Sequence, residues 1–137
     1  MNTRLASVLA AVGLALFASP AAAADPEPAP PYIDHATWVS YSGLPTLRVY
    51  LTGAGRDVAG EFAKTDAQTD VAWGEVLALA PDADTAGMRS QFLCHWRFAE
   101  FAEPGKPSWD LEPWRPDVDE ATMLLAGCNP GGAENGS

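Results

Sequence analysis

QFLCHWRF, Gln91 to Phe98, is the stretch on which the fold turns. At 3.6 residues per turn, Phe92, His95 and Trp96 fall on one arc with Met88 and Ala99, and Cys94 points off it. The stretch therefore reads as an amphipathic helix with a cysteine on its flank. A cap by Thr85 or Asp84 starts it near Ala86, and EPGKPS breaks it. What Cys94 does depends on where the chain resides.

The amino terminus addresses that question. Arg4 gives a thin basic region, LASVLAAVGLALFA (Leu5 to Ala18) is an unbroken apolar run, and SPAAAA follows with small residues. This is the layout of a secretory leader, with cleavage expected near Ala22 to Ala24. The run has fourteen residues, and spanning a bilayer takes about 20, so no stable membrane anchor is expected after cleavage. The organisation expected is a signal peptide at 1–24, a Pro-rich tether at 25–31, a globular domain at 32–130 and a flexible tail at 131–137.

Export places Cys94 and Cys128 in an oxidising compartment, where two thiols become one disulfide. The crosslink closes a loop of about 35 residues, a contribution of roughly 3–4 kcal/mol from chain entropy. The competing reading, a Cys94–His95 nucleophile pair, fails on geometry, because adjacent helical residues diverge by about 100°.

Composition excludes several partners. Without the leader, seven basic residues face eighteen acidic ones, a net charge near −11. The basic residues are scattered, whereas a phosphate backbone needs them clustered, so no nucleic-acid partner is expected. Asp82, Asp84 and Gly87 mimic a calcium loop, but Ala86 and Leu93 stand where oxygen ligands are required. No metal and no cofactor is expected. There is no Gly-rich phosphate loop, G-x-S-x-G or H-E-x-x-H.

Upstream, YIDHATWVSYS and LPTLRVYLT form the arms of a hairpin around Ser42-Gly43-Leu44-Pro45. Leu47, Val49 and Leu51 make the buried face of the second arm. In the first arm Ile33, His35, Thr37, Val39 and Tyr41 share one face, and Ala36 and Trp38 the other. TGAGRDVAGEFAKTDAQTD reads as a loop with a short helical piece from Asp57 to Lys64. VAWGEVLALA is a helix with Trp73, Val76, Leu77 and Ala80 inward, and Pro81 helps to end it. Downstream, WDLEPWRP is extended. DVDEATMLLAGC is a final helix with Asp117 and Glu120 at its start, Val118, Ala121 and Leu125 inward and Gly127 at its end. The sum is an α+β domain: a β-hairpin or small antiparallel sheet on two to three helices, closed by one disulfide.

Four polar residues are candidates for function: Gln91, His95, Glu112 and Arg115. For His95 the readings are a structural ring bonded to a carbonyl or to Gln91, and a general acid or base beside Glu112 or Arg115. Glu112 and Arg115, three apart in an extended chain, point to different sides, so each is expected to find its partner elsewhere. Of the five tryptophans, Trp38, Trp73 and Trp96 fit buried faces, and Trp109 and Trp114 are either core or binding aromatics.

Several motifs carry a resemblance: W-x-x-x-x-G with L-R-V between Trp38 and Val49, Q-F-x-C-H at Gln91 to His95, W-x-L-E-P-x-R-P at Trp109 to Pro116, and C-N-P at Cys128 to Pro130. With the Trp73 helix, they resemble the secreted bacterial domain of unknown function numbered 2599. Asp110 stands where that pattern prefers Asn. The resemblance implies export and points to the polar residues within the motifs, and it implies no activity. Two functions stay open. One is a secreted, non-enzymatic extracellular or cell-wall binding domain, with an envelope component or a protein as partner. The other is a small secreted hydrolase or antibacterial toxin using His95, Glu112 and Arg115.

Overall fold

The computed structural model describes residues 10–18 and 26–132. The cleavage region at Ala22 to Ala24 and the tail from Ala133 to Ser137 lie outside the described residues. Within them, β1 (Ile33–Tyr41), β2 (Leu44–Leu51) and β3 (Trp109–Leu111) form an antiparallel sheet in the order β1-β2-β3. The helices are α1 (Gly53–Ala59), α2 (Asp66–Leu79), α3 (Ala86–Ala102) and α4 (Glu120–Leu125), with a 3-10 turn at Pro81–Ala83.

The hairpin turn is Ser42-Gly43 alone, with φ of 52° and 77°. Left-handed conformation at both central residues matches the twist of the flanking strands. Tyr41↔Leu44 closes the turn, so Ser40↔Pro45 is the next, non-hydrogen-bonded pair. Pro45 nitrogen then faces a side that β3, paired only with Leu47 to Val49, does not reach.

Leu47, Val49 and Leu51 are buried, and Arg48 and Tyr50 face outward, as the period-two pattern requires. The first arm differs from the sequence reading. A register shift between Ile33 and His35 turns Ile33 to the face shared by Ala36. Such a bulge adds one residue to one strand and reverses the alternation beyond it. Trp38, expected in the core, is 40% exposed; it lies on the edge strand near the turn, opposite Leu47.

Two helices begin earlier than their apolar residues suggest. α1 spans Gly53–Ala59 rather than Asp57 to Lys64, because the Thr52 hydroxyl accepts from Gly55 N at 3.0 Å and starts it there. α2 starts at Asp66, inside the segment read as loop. Thr65 and Gln68 form a reciprocal capping box that satisfies the first free amides. In α3 the Thr85 cap and the inward arc of Met88, Phe92, His95 and Trp96 agree with the sequence. On α4 the inward residue is Met123, not Ala121 or Leu125, since the cap is Asp119.

The core lies between the sheet and α1, α2 and α3. Trp73, Phe92, Trp96 and Trp109 pack as one aromatic stack; Phe92 meets the other three, and Trp96 meets Trp109 edge-on at 6.4 Å and 79°. Each fully buried large apolar side chain contributes about 1.5–3 kcal/mol. The Glu75 carboxylate on α2 accepts from the Tyr32 and Ile33 amides at 2.7 and 2.8 Å, which fastens the start of β1. A second, smaller cluster surrounds the Cys94–Cys128 disulfide with Met123, Phe98 and Val118.

Candidate functional site

α3 places Gln91 and His95 one turn apart, both facing inward. The Gln91 side-chain amide donates to the Glu112 carbonyl at 2.9 Å and accepts from the Glu112 amide at 2.8 Å. It thus treats the chain after β3 as a neighbouring strand would. Four residues then make a turn: Arg115 N donates to Glu112 O at 3.1 Å, with Pro113 in the second position, where its fixed φ suits it.

That turn corrects the extended reading of WDLEPWRP. The strand stops at Leu111, and Glu112 and Arg115 curl toward each other instead of diverging. Their side chains form an ion pair, at 1% and 3% side-chain exposure. Arg115 Nη1 also donates to the carbonyls of Asn129 at 3.3 Å, Pro130 at 2.9 Å and Gly132. Its guanidinium lies 4.4 Å from the Trp114 ring centroid. One planar, five-donor group therefore ties the turn to the segment that follows Cys128.

His95 is 5% exposed, and its Nδ1 lies 2.9 Å from the Gln91 carbonyl. A carbonyl only accepts, so Nδ1 carries the proton and Nε2 holds the lone pair of the neutral ring. Burial pushes the imidazole below its ordinary pKa of 6.5; the Gln91 carbonyl opposes this, with Lys106, Asp110 and Glu103 as smaller influences. The ring tilts against Trp109 at 5.9 Å. Trp109 has no exposed surface and belongs to the core, and Trp114 is held under Arg115.

The structure thus brings Gln91, Glu112 and Arg115 into one connected interior network and ties His95 to its own helix beside it. Among the described residues no three His, Cys, Asp or Glu side chains gather to hold a metal ion.

The accessible surface of interest lies elsewhere. Phe62, after α1, is 95% exposed and stacks on Phe101 at 5.0 Å. With Lys64, Asp66, Thr69, Arg97 and Phe98 they line a groove of about 450 Å³ on the outer side of α3. No sequence motif joins these residues. Phe98 and Phe101 do stand at i, i+3 on α3, the one local signal of an aromatic face there.

A family model described as a protein of unknown function, DUF2599, matches residues 33–131. The chain belongs to the DUF2599 family. The matched span takes in β1 through the Asn129 and Pro130 carbonyls held by Arg115, so the Gln91–Glu112–Arg115 network is part of the DUF2599 domain. This DUF2599 chain is 47% identical over 144 residues to "Uncharacterized protein Rv0477" of Mycobacterium tuberculosis and to "Uncharacterized protein Mb0487" of Mycobacterium bovis, covering 95% of the chain and 96% of each relative. It is 47% identical over 104 residues to "Uncharacterized protein ML2452" of Mycobacterium leprae, covering 76% of the chain and 83% of that protein. No solved structure matches the DUF2599 chain.

Proposed function

We propose that the protein is a secreted, non-enzymatic binding domain that works outside the cytoplasm, in contact with the cell envelope. The carrying observation is that Gln91, His95, Glu112 and Arg115 are all at least nine-tenths buried. The Gln91 amide, the Glu112 and Arg115 side chains and His95 Nδ1 are engaged in holding the fold. A hydrolase built on His95, Glu112 and Arg115 needs those groups to meet at an open cleft. Instead Arg115 is engaged by three carbonyls and by Glu112, and His95 by its own helix. Export is supported by the leader-like run from Leu5 to Ala18 and by a disulfide that an oxidising compartment favours.

The test is co-sedimentation of the disulfide-bonded protein with insoluble cell-wall polymer from a mycobacterium. Saturable pelleting that the His95→Gln variant retains, without release of soluble fragments, is the result expected. Release of fragments by the wild type and not by the variant overturns the reading in favour of hydrolysis. Recovery of the chain from the cytosol with its leader attached overturns the export half.

A further inference from the structure

We propose that the free edge of β1 pairs antiparallel with β1 of a second copy of this chain, about a two-fold axis at Trp38, so that two three-stranded sheets join into one. This goes beyond the binding-domain reading and does not depend on it.

The register comes first. Tyr41↔Leu44 closes the hairpin, so the hydrogen-bonded pairs with β2 recur at Val39, Thr37 and His35. The N–H and C=O of Ala36, Trp38 and Ser40 therefore point away from β2. Among the described residues nothing meets them there; Glu75 takes only the amides of Tyr32 and Ile33, at the start of the strand. A row of unpaired peptide groups at strand spacing is satisfied by another extended strand.

The edge is also unguarded. Ile33–Tyr41 runs nine residues without Pro, Lys or Arg, and its one irregularity lies at the Ile33 end. Those are the devices that keep a long edge from pairing. Trp38 lies on this edge 40% exposed. The opposite edge of the sheet is β3, three residues long. Joining the two long edges leaves only short ones outside, so the assembly closes as a dimer.

The strand matches itself. An axis at Trp38 sets Trp38 against Trp38 of the second copy, and Ala36 against Ser40 in both directions. All three free residues then exchange both peptide bonds. The two indoles cover each other as a cross-strand aromatic pair. On the other face Thr37 meets Val39, and His35 meets Tyr41. The one carboxylate of the strand is Asp34, which lies 2.6 Å from its own His35. The two copies of Asp34 end up eight residues apart along the joined strands, about 27 Å at roughly 3.4 Å per residue. That is well beyond the screening length of about 8 Å in physiological salt. An axis at Thr37 would instead match Ser40 with Asp34, inside the bulge, and lose that pair.

The experiment is sedimentation equilibrium of the disulfide-bonded protein over a concentration series, with amide exchange measured at each end of it. A monomer–dimer equilibrium is expected, and exchange at Ala36, Trp38 and Ser40 should slow as the dimer fills. Because each copy carries an excess of acid, the dimer should tighten with added salt. Ser40→Pro removes one outward N–H per copy and none from the β1–β2 ladder; two lost hydrogen bonds should weaken the dimer roughly tenfold or more. Trp38→Lys and Trp38→Glu should each be monomeric alone and dimerise when mixed, since the axis sets the two side chains face to face. A protein that stays monomeric throughout the series overturns the proposal. So does a dimer that Ser40→Pro leaves intact, or one in which those three amides still exchange fast. A mixture of the folded Lys and Glu variants that fails to associate overturns it as well.

Discussion

Gln91 and the backbone of Glu112 are joined by two antiparallel hydrogen bonds, 2.9 and 2.8 Å long, made by a single side chain. A glutamine amide presents one donor and one acceptor in the same spacing as a peptide group. It therefore continues the pairing of the chain after β3 ends. Gln91→Ala should leave a buried N–H and a buried C=O without partners, at about 1–3 kcal/mol each. A fall in the urea midpoint corresponding to roughly 2–5 kcal/mol, with an unchanged denaturant slope, is expected. A loss below about 0.5 kcal/mol would show that water replaces the amide without penalty.

Arg115 neutralises Glu112 inside the protein and holds three carbonyls. Arg115→Met removes the cation against which that carboxylate is buried. Breaking one half of a buried pair costs about 3–5 kcal/mol. Chemical denaturation should show a loss of that order. Amide exchange should also quicken in the segment just after Cys128, which the guanidinium pins.

His95 sets a pH dependence with a definite sign. Its folded pKa lies below the ordinary 6.5, so the folded state binds fewer protons than the unfolded chain in acid. Its contribution is complete above 6.5 and is lost progressively as pH falls from there toward the folded value. Stability of the wild type should drop more steeply below pH 6.5 than that of His95→Gln. Parallel curves for the two proteins would contradict this.

Reduction of Cys94–Cys128, or its replacement by serines, releases a loop of 34 residues in sequence. By loop entropy the loss is about 3–4 kcal/mol. The thermal midpoint should fall under reductant by more than that of any single surface substitution.

Gly55 lies where a Cβ would overlap the Tyr32 carbonyl oxygen. Neither partner can yield easily, because Tyr32 is also fixed through its amide to Glu75. Gly55→Ala should destabilise by about 1–3 kcal/mol, as overpacking does. Gly74→Ala, with open space at the same test, is the control and should be neutral or slightly favourable.

The parts legible in the sequence were those governed by local periodicity. β2 showed its buried face as Leu47, Val49 and Leu51, and α3 showed its arc, because burial alone decides both patterns. The extra residue near Ile33 was not legible, since a bulge leaves no composition signal. A polar run hides the α2 start, although Thr65 and Gln68 carry the capping-box spacing. Glu112 and Arg115 diverge only on an extended backbone, and the turn across Pro113 inverts that geometry. The groove joins Phe62 to Phe101 across 39 positions of sequence, and only tertiary packing brings them together.

The edge-on meeting of Trp96 and Trp109 has an optical consequence. Two indoles this close, with their planes nearly perpendicular, couple their electronic transitions and rotate polarised light as a pair. The native protein should therefore display a split ultraviolet dichroism couplet that disappears when either indole is replaced by phenylalanine. That gives any study of this domain a label-free spectroscopic reporter at the centre of its interior.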